Sequence, residues 1–201
     1  MTPLRMMIAP MVALCCAVPA SAQTAPVRAL AQLTPPGTKA LRVSTPAWRE
    51  GADIPFENTQ YRGNIFPGLR WAKGPAATRS YAIIMQDVDV VRDGVRRHAL
   101  HWTMVNIPAT VTRLQVAMPA EGKPAGSSYG PNYKGQAQPY LGPRPPPGLK
   151  HRYHIQIFAL DTLLTLPTEA SYADLIGQMR GHVLASGETV GLGQADPTVQ
   201  R

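Results

Sequence analysis

The chain has 201 residues and a formal net charge of +8, from 20 Lys and Arg against 12 Asp and Glu. The basic residues are scattered, with Arg96-Arg97 the one adjacent pair, so the sequence has no basic stripe with interleaved aromatics, which argues against nucleic-acid binding and leaves attraction for small anions. Both cysteines, Cys15 and Cys16, lie near the amino terminus, which excludes a disulfide framework, a thiol nucleophile and a cysteine metal site from the rest of the chain.

Residues 1–22 read as a secretory signal. Arg5 supplies a positive start, Met6 to Val18 is apolar but too short to span a bilayer, and Ala20-Ser21-Ala22 is a small-x-small cleavage site. Leu14 precedes Cys15 and Cys15 precedes Cys16, neither being the small residue a lipidation signal wants. The expectation is a periplasmic or secreted protein cut after Ala22, with no transmembrane segment in the mature chain. The remaining length of about 180 residues suits a single domain with its own core.

Residues 23–40 are rich in Ala, Pro and Thr without a period, and are expected to form a flexible lead. The domain is expected over 41–193, followed by a polar tail at 194–201. Strand patterns open at Leu41–Ser44 and return at Leu69–Ala72, Ser80–Met85, Leu100–Ile107, Arg113–Val116, Tyr153–Leu160 and Glu188–Leu192. One amphipathic helix is expected from Tyr172 to Ala185. Ser171 or Thr168 caps it, and Leu175, Ile176, Met179, Val183 and Leu184 form its apolar face. Between Met118 and Lys150 lies a long Pro- and Gly-rich stretch with almost no apolar period. Loops of that length are functional or disordered, and Tyr129, Tyr133 and Tyr140 favour a folded one.

Gly126-Ser127-Ser128-Tyr129-Gly130 matches the nucleophile elbow of serine hydrolases, but lacks the strand before it and the helix after it, and reads as a chance match. Four other segments carry the chemistry: Asp87-Val88-Asp89, His101-Trp102, Gly142-Pro143-Arg144-Pro145-Pro146 and His151-Arg152-Tyr153. They offer carboxylates, imidazoles, a phenol and a stiff loop at strand ends, without an evident nucleophile. The i, i+2 spacing puts His151 and Tyr153 on one strand face and turns Arg152 away, to the other face or into a salt bridge. Asp87 and Asp89 also read as turn residues bonding nearby N–H groups, and His101 as a satisfied core histidine. His98, His154 and His182 read as incidental, in a turn, opposite Tyr153 and on the helix; Arg96-Arg97 reads as part of the turn.

Together these segments resemble the phosphatidylethanolamine-binding protein family, also called Raf kinase inhibitor-like proteins, in its bacterial branch. The family typically shows Asp-Pro-Asp-Ala-Pro, a His-Trp or His-Phe strand ending in Asn-Ile-Pro, Gly-Pro-x-Pro-Pro and His-Arg-Tyr. Here these stand as Asp87-Val88-Asp89-Val90-Val91, His101-Trp102 with Asn106-Ile107-Pro108, Gly142 to Pro146 with Gly148, and His151-Arg152-Tyr153. Gly63 to Trp71 and Met179 to Ala185 resemble further family segments.

The resemblance implies a mainly β fold: antiparallel sheets in a β-sandwich with a few peripheral helices, one of them the C-terminal amphipathic helix. It also implies an anion pocket at a sheet end, lined by Asp87, His101, His151 and Tyr153 with Pro145 and Pro146 as wall. Two departures stand out: Val88 and Val91 replace family prolines, and Gln136-Ala137-Gln138-Pro139 lengthens the loop.

The leading expectation is an exported, non-enzymatic binding protein without a cofactor. Its ligand would be small and anionic or phosphorylated, a lipid head group included. Two alternatives stay open. One is an inhibitor of a periplasmic protease or other enzyme, meeting its protein partner through residues 130–148. The other is a metal-dependent hydrolase, for which the two histidines and two aspartates lack tight ligand spacing. A second copy of the chain is also admitted as a partner.

Overall fold

The computed structural model describes residues 27–135 and 137–199, so the signal at 1–22 and Gln136 of the lengthened loop lie outside the described residues. In chain order the elements are α1 (Ala29–Leu33), β1 (Lys39–Ala40), β2 (Val43–Ser44), β3 (Leu69–Trp71), β4 (Ser80–Arg92), β5 (Val95–Pro108), β6 (Arg113–Leu114), β7 (Ser128–Tyr129), β8 (His151–Leu160), α2 (Tyr172–Met179) and β9 (Val183–Gly193). The fold is mainly β. A six-stranded sheet has the order β1-β9-β8-β4-β5-β7, and a three-stranded sheet has the order β2-β3-β6. Every pairing is antiparallel except β1 with β9.

The apolar runs of β4 and β8 are nearly continuous because both faces of the large sheet are covered. On one face Tyr81, Ile83, Met85, Trp102, Met104, Tyr153, Ile155 and Ile157 pack with Leu69, Trp71 and Leu114 of the small sheet. On the other, Ala82, Ile84, Leu100, Val105, Phe158 and Leu160 pack against α1 and α2 through Ala29, Leu33, Leu175, Ile176 and Met179.

Several local expectations are corrected. The segment expected to be a flexible lead carries α1, which buries Ala29 and Leu33. The Ala29 N–H donates to Gln86 Oε1 at 2.9 Å and the Leu30 N–H to Gln156 Oε1 at 2.7 Å. Two buried sheet amides thus satisfy N–H groups that a helix start leaves open. Partners so distant in sequence leave no local signal.

The C-terminal helix ends at Met179 rather than Ala185. Ser171 and Asp174 form its capping box, Arg180 caps its other end in an extended conformation, and Gly181 turns the chain at φ 82°. Val183 and Leu184 then belong to β9, where Val183 faces Leu160; a helical period had absorbed apolar residues that alternate in a strand.

The hairpin between β4 and β5 is longer than expected and turns at Asp93 and Gly94, both at positive φ. Arg96, Arg97 and His98 therefore lie in β5, not in a turn, and His182 lies in the turn after α2. In the supposed tail, Asp196 is buried and accepts from Arg62 Nε at 2.5 Å.

Candidate functional site

The site lies where the polar ends of β4, β5 and β8 meet the loop before β8. Asp87 stands opposite Tyr153 across β4–β8, and a register shift between Asp87 and Val90 marks a bulge beside it. Bulges re-aim side chains near sites. Asp87 and Asp89 are thus strand residues rather than turn residues. Asp87, His101, Pro145, Pro146, His151 and Tyr153 all line one groove of about 1380 Å³.

The hydrogen bonds point to the tautomer of each ring. Asp87 Oδ2 lies 2.8 Å from His151 Nδ1, and Oδ1 accepts the Asp89 N–H at 2.9 Å. An ionised carboxylate only accepts, so His151 carries hydrogen on Nδ1. His101 Nδ1 lies 3.2 Å from the Leu141 carbonyl and 3.1 Å from that of Gly142. Carbonyls also only accept, so His101 is protonated at Nδ1 and its Nε2 makes no hydrogen bond to a described residue. Burial holds His101 below the ordinary histidine range, against the opposing pull of Asp87 and the two carbonyls. The resulting His101 is neutral near pH 7.

Tyr153 is fully buried and meets the His101 ring edge-on, with centroids 5.1 Å apart. Gly193 makes room for it, since a Cβ there would sit 2.5 Å from the Tyr153 ring. No hydrogen bond of normal geometry forms at the Tyr153 hydroxyl, although Asp87 and the Arg144 amide lie near it. Burial first, and the Asp87 charge second, push this phenol far above the usual tyrosine range.

The wall is anchored from outside the four segments. Asn64, at φ 50°, accepts the Gly142 N–H at 2.8 Å and donates to the Tyr140 carbonyl at 2.9 Å. Tyr61 donates from its hydroxyl to the Pro145 carbonyl. Tyr133 also meets the His101 ring edge-on, with centroids 5.0 Å apart. Sequence reasoning missed Asn64, Tyr61 and Tyr133 as site residues; the only signal for Asn64 was its place in the Gly63–Trp71 segment. Pro145 is buried and Pro146 exposed, both on the groove wall.

Arg152 turns away from His151 and Tyr153 into a salt bridge. Its Nε and Nη2 donate to Asp89 at 2.8 and 2.6 Å, and Arg96 adds a third contact at 2.9 Å. The Arg152 hydrogen bonds, more than the nearby charges, lower Asp89 to about 2. Among the described residues, no cluster of three or more His, Cys, Asp or Glu is placed to hold a metal ion. Val91 is exposed on the groove wall, whereas Val88 is buried and lines a separate cavity instead. Ser128 of the elbow-like motif sits in β7 beside Val105 of β5, with no helix following it.

Comparison with known proteins agrees with this architecture. The sequence model of the family described as phosphatidylethanolamine-binding protein matches residues 44–194. A UPF0098 protein of Methanothermobacter thermautotrophicus is 37% identical over 153 residues, covering 76% of this chain and 97% of the relative. The UPF0098 protein YbcL of Escherichia coli is 38% identical over 121 residues, 58% of this chain and 64% of YbcL. The crystal structure of YbcL, described as a new member of the mammalian PEBP family, superposes with a TM-score of 0.69 at 28% identity, covering 78% of this chain and 99% of that one. A phosphatidylethanolamine-binding protein homologue of Chlamydia trachomatis gives 0.68 at 27% identity over 79% and 100% of the two chains.

Proposed function

The chain belongs to the phosphatidylethanolamine-binding protein family, and from that membership we propose that it is a non-catalytic binding protein. It holds a phosphate-bearing or other small anionic ligand between Asp87, His101, His151 and Tyr153, against Pro145 and Pro146. The Tyr153 hydroxyl carries this reading. A buried O–H without a partner costs free energy of about 1–3 kcal/mol, which an anionic ligand oxygen recovers by accepting its hydrogen.

The two imidazoles complete the set. Each has its Nδ1 engaged, leaving Nε2 to accept from a protonated ligand oxygen or, once charged, to donate to an anionic one. Among the described residues neither Nε2 is hydrogen-bonded to a hydroxyl or thiol, which supports binding rather than nucleophilic catalysis. Asp89 is occupied by Arg96 and Arg152, which speaks against its use as a metal ligand. The signal-like pattern at 1–22 supports action outside the cytoplasm, and no described helix is long and apolar enough to cross a membrane.

Calorimetry with O-phosphoethanolamine and inorganic phosphate tests the reading. His101→Ala and Tyr153→Phe are each expected to weaken binding about tenfold, the loss of one charge-assisted hydrogen bond. Unchanged affinity in both variants overturns the assignment.

A further inference from the structure

A second cavity, of about 380 Å³, is lined by Val27, Arg28, Ala31, Val88, Arg96, Arg152 and His154. Val88 and His154 alternate with Asp87 and Tyr153 along their strands, and so belong to the opposite face of the large sheet. Three arginines line this cavity from three elements: Arg28 from the residue capping α1, Arg96 from β5 and Arg152 from β8. Asp89 neutralises part of their charge through Arg96 and Arg152, and Glu188 part through Arg28. Three cations against two carboxylates leave one positive charge over.

Donors are also left over. Arg28 bonds through Nη1 to Glu188 and His154, Arg96 through Nη1, and Arg152 through Nε and Nη2. Among the described residues, Nη2 of Arg28, Nη2 of Arg96 and Nη1 of Arg152 make no hydrogen bond. His154 is nine-tenths buried, with Nδ1 3.1 Å from Arg28 Nη1 and 3.0 Å from Glu188 Oε2. Its Nε2 is buried with no partner. Glu188 only accepts, so by the rule that holds for His151 the hydrogen lies on His154 Nδ1, and Nε2 donates to an anion from the doubly protonated ring, a state an anion beside it favours.

We propose that this cavity is a second anion site, for a tetrahedral oxyanion such as phosphate, sulfate or a phosphate monoester. Three arginines supplied by three elements suit an anion with at least three accepting oxygens better than a carboxylate with two. Apolar Val27, Ala31 and Val88 complete the wall, so the family proline position occupied by Val88 belongs to this site and not to the principal groove. Arg96 and Arg152 also line the principal groove, whereas Arg28 and His154 line only this cavity, so responses at these two separate the second site from the binding function proposed above.

The test is a titration of inorganic phosphate into the protein at constant ionic strength, followed by the ¹H–¹⁵N signals of the histidine rings. The His154 signals are expected to shift and saturate, both in the unaltered protein and in His101→Ala, where the principal groove is impaired. Acetate in place of phosphate is expected to give no saturation. Arg28→Gln is expected to raise the His154 midpoint about tenfold and to leave the His101 and His151 responses in place. If Arg28→Gln loosens α1, seen as faster hydrogen exchange at Ala29, Arg96→Gln at a half-exposed side chain carries the same expectation for His154. A His154 response that stays linear with phosphate, or that disappears in His101→Ala, overturns the second site. A saturating His154 response with silent His101 and His151 would keep it and overturn the principal pocket instead.

Discussion

Gln86 and Asp87 are neighbours on β4, and Gln156 and Tyr153 lie close together on β8, yet they serve opposite faces of one sheet with opposite outcomes. On the helix-covered face the amides are used up. Gln86 Oε1 accepts from the Ala29 N–H and from Gln156 Nε2, both at 2.9 Å, and Gln156 Oε1 accepts from the Leu30 N–H. At the groove end of the other face the Tyr153 hydroxyl is buried and unbonded, and two imidazoles have a nitrogen to spare. Buried polar groups in folded proteins are nearly always paired, so the stretch around Gln86 and Gln156 that satisfies its own groups is scaffold, whereas the Tyr153 hydroxyl in the groove and His154 Nε2, further along the helix-covered face, mark the two candidate ligand sites.

That contrast is most strongly strained by Gln86→Ala. It removes the acceptor of the Ala29 N–H and one of the two acceptors of Gln156 Nε2, which keeps the Ile84 carbonyl, and is expected to cost about 2–4 kcal/mol in urea unfolding. Hydrogen exchange at Ala29 should accelerate, while O-phosphoethanolamine affinity stays the same in the fraction that is folded. An affinity loss matching that of Tyr153→Phe would mean the two faces are not separate.

A smaller effect comes from pH. His101 has its folded-state value depressed by burial, so the unfolded chain binds the proton more readily. The stability linked to this group is full above about pH 6.5 and is lost as pH falls from there through the depressed value. Thermal unfolding followed from pH 7 to pH 5 should show this decline, and His101→Asn should flatten it. A slope that persists unchanged in the variant would assign the decline to other groups, His98 among them, which burial also lowers.

Smallest in stability but sharpest in sign is Tyr153→Phe. Removing an unpaired buried hydroxyl is expected to leave stability unchanged or raise it by up to about 1 kcal/mol, even as ligand affinity falls. A loss of stability comparable to that of Gln86→Ala would show that the hydroxyl is already satisfied within the protein.

Much of the site was legible because its groups are rare residue types in short ordered segments. His151 and Tyr153 share a face by strand period alone, and Arg152 turns away into a salt bridge as that period requires. The anchors were not legible. Asn64 reaches Gly142 across 78 positions, and Tyr61 reaches Pro145 across 84, so nothing local to the loop announces either contact. Arg28 is the extreme case: in sequence it sits in an unpatterned lead, and in space it meets Glu188 and His154.

Strand-forming runs, a helix near Tyr172 with Ser171 or Thr168 as its cap, and the inventory of carboxylates, imidazoles and phenol follow from the sequence alone, because period, capping and residue chemistry are local properties. Only the tertiary structure decided where α2 stops and β9 begins, that α1 docks on two sheet glutamines, and which polar groups end without a partner. Hydrogen-bond satisfaction depends on what the folded chain brings within about 3 Å, and that distance has no counterpart in sequence separation.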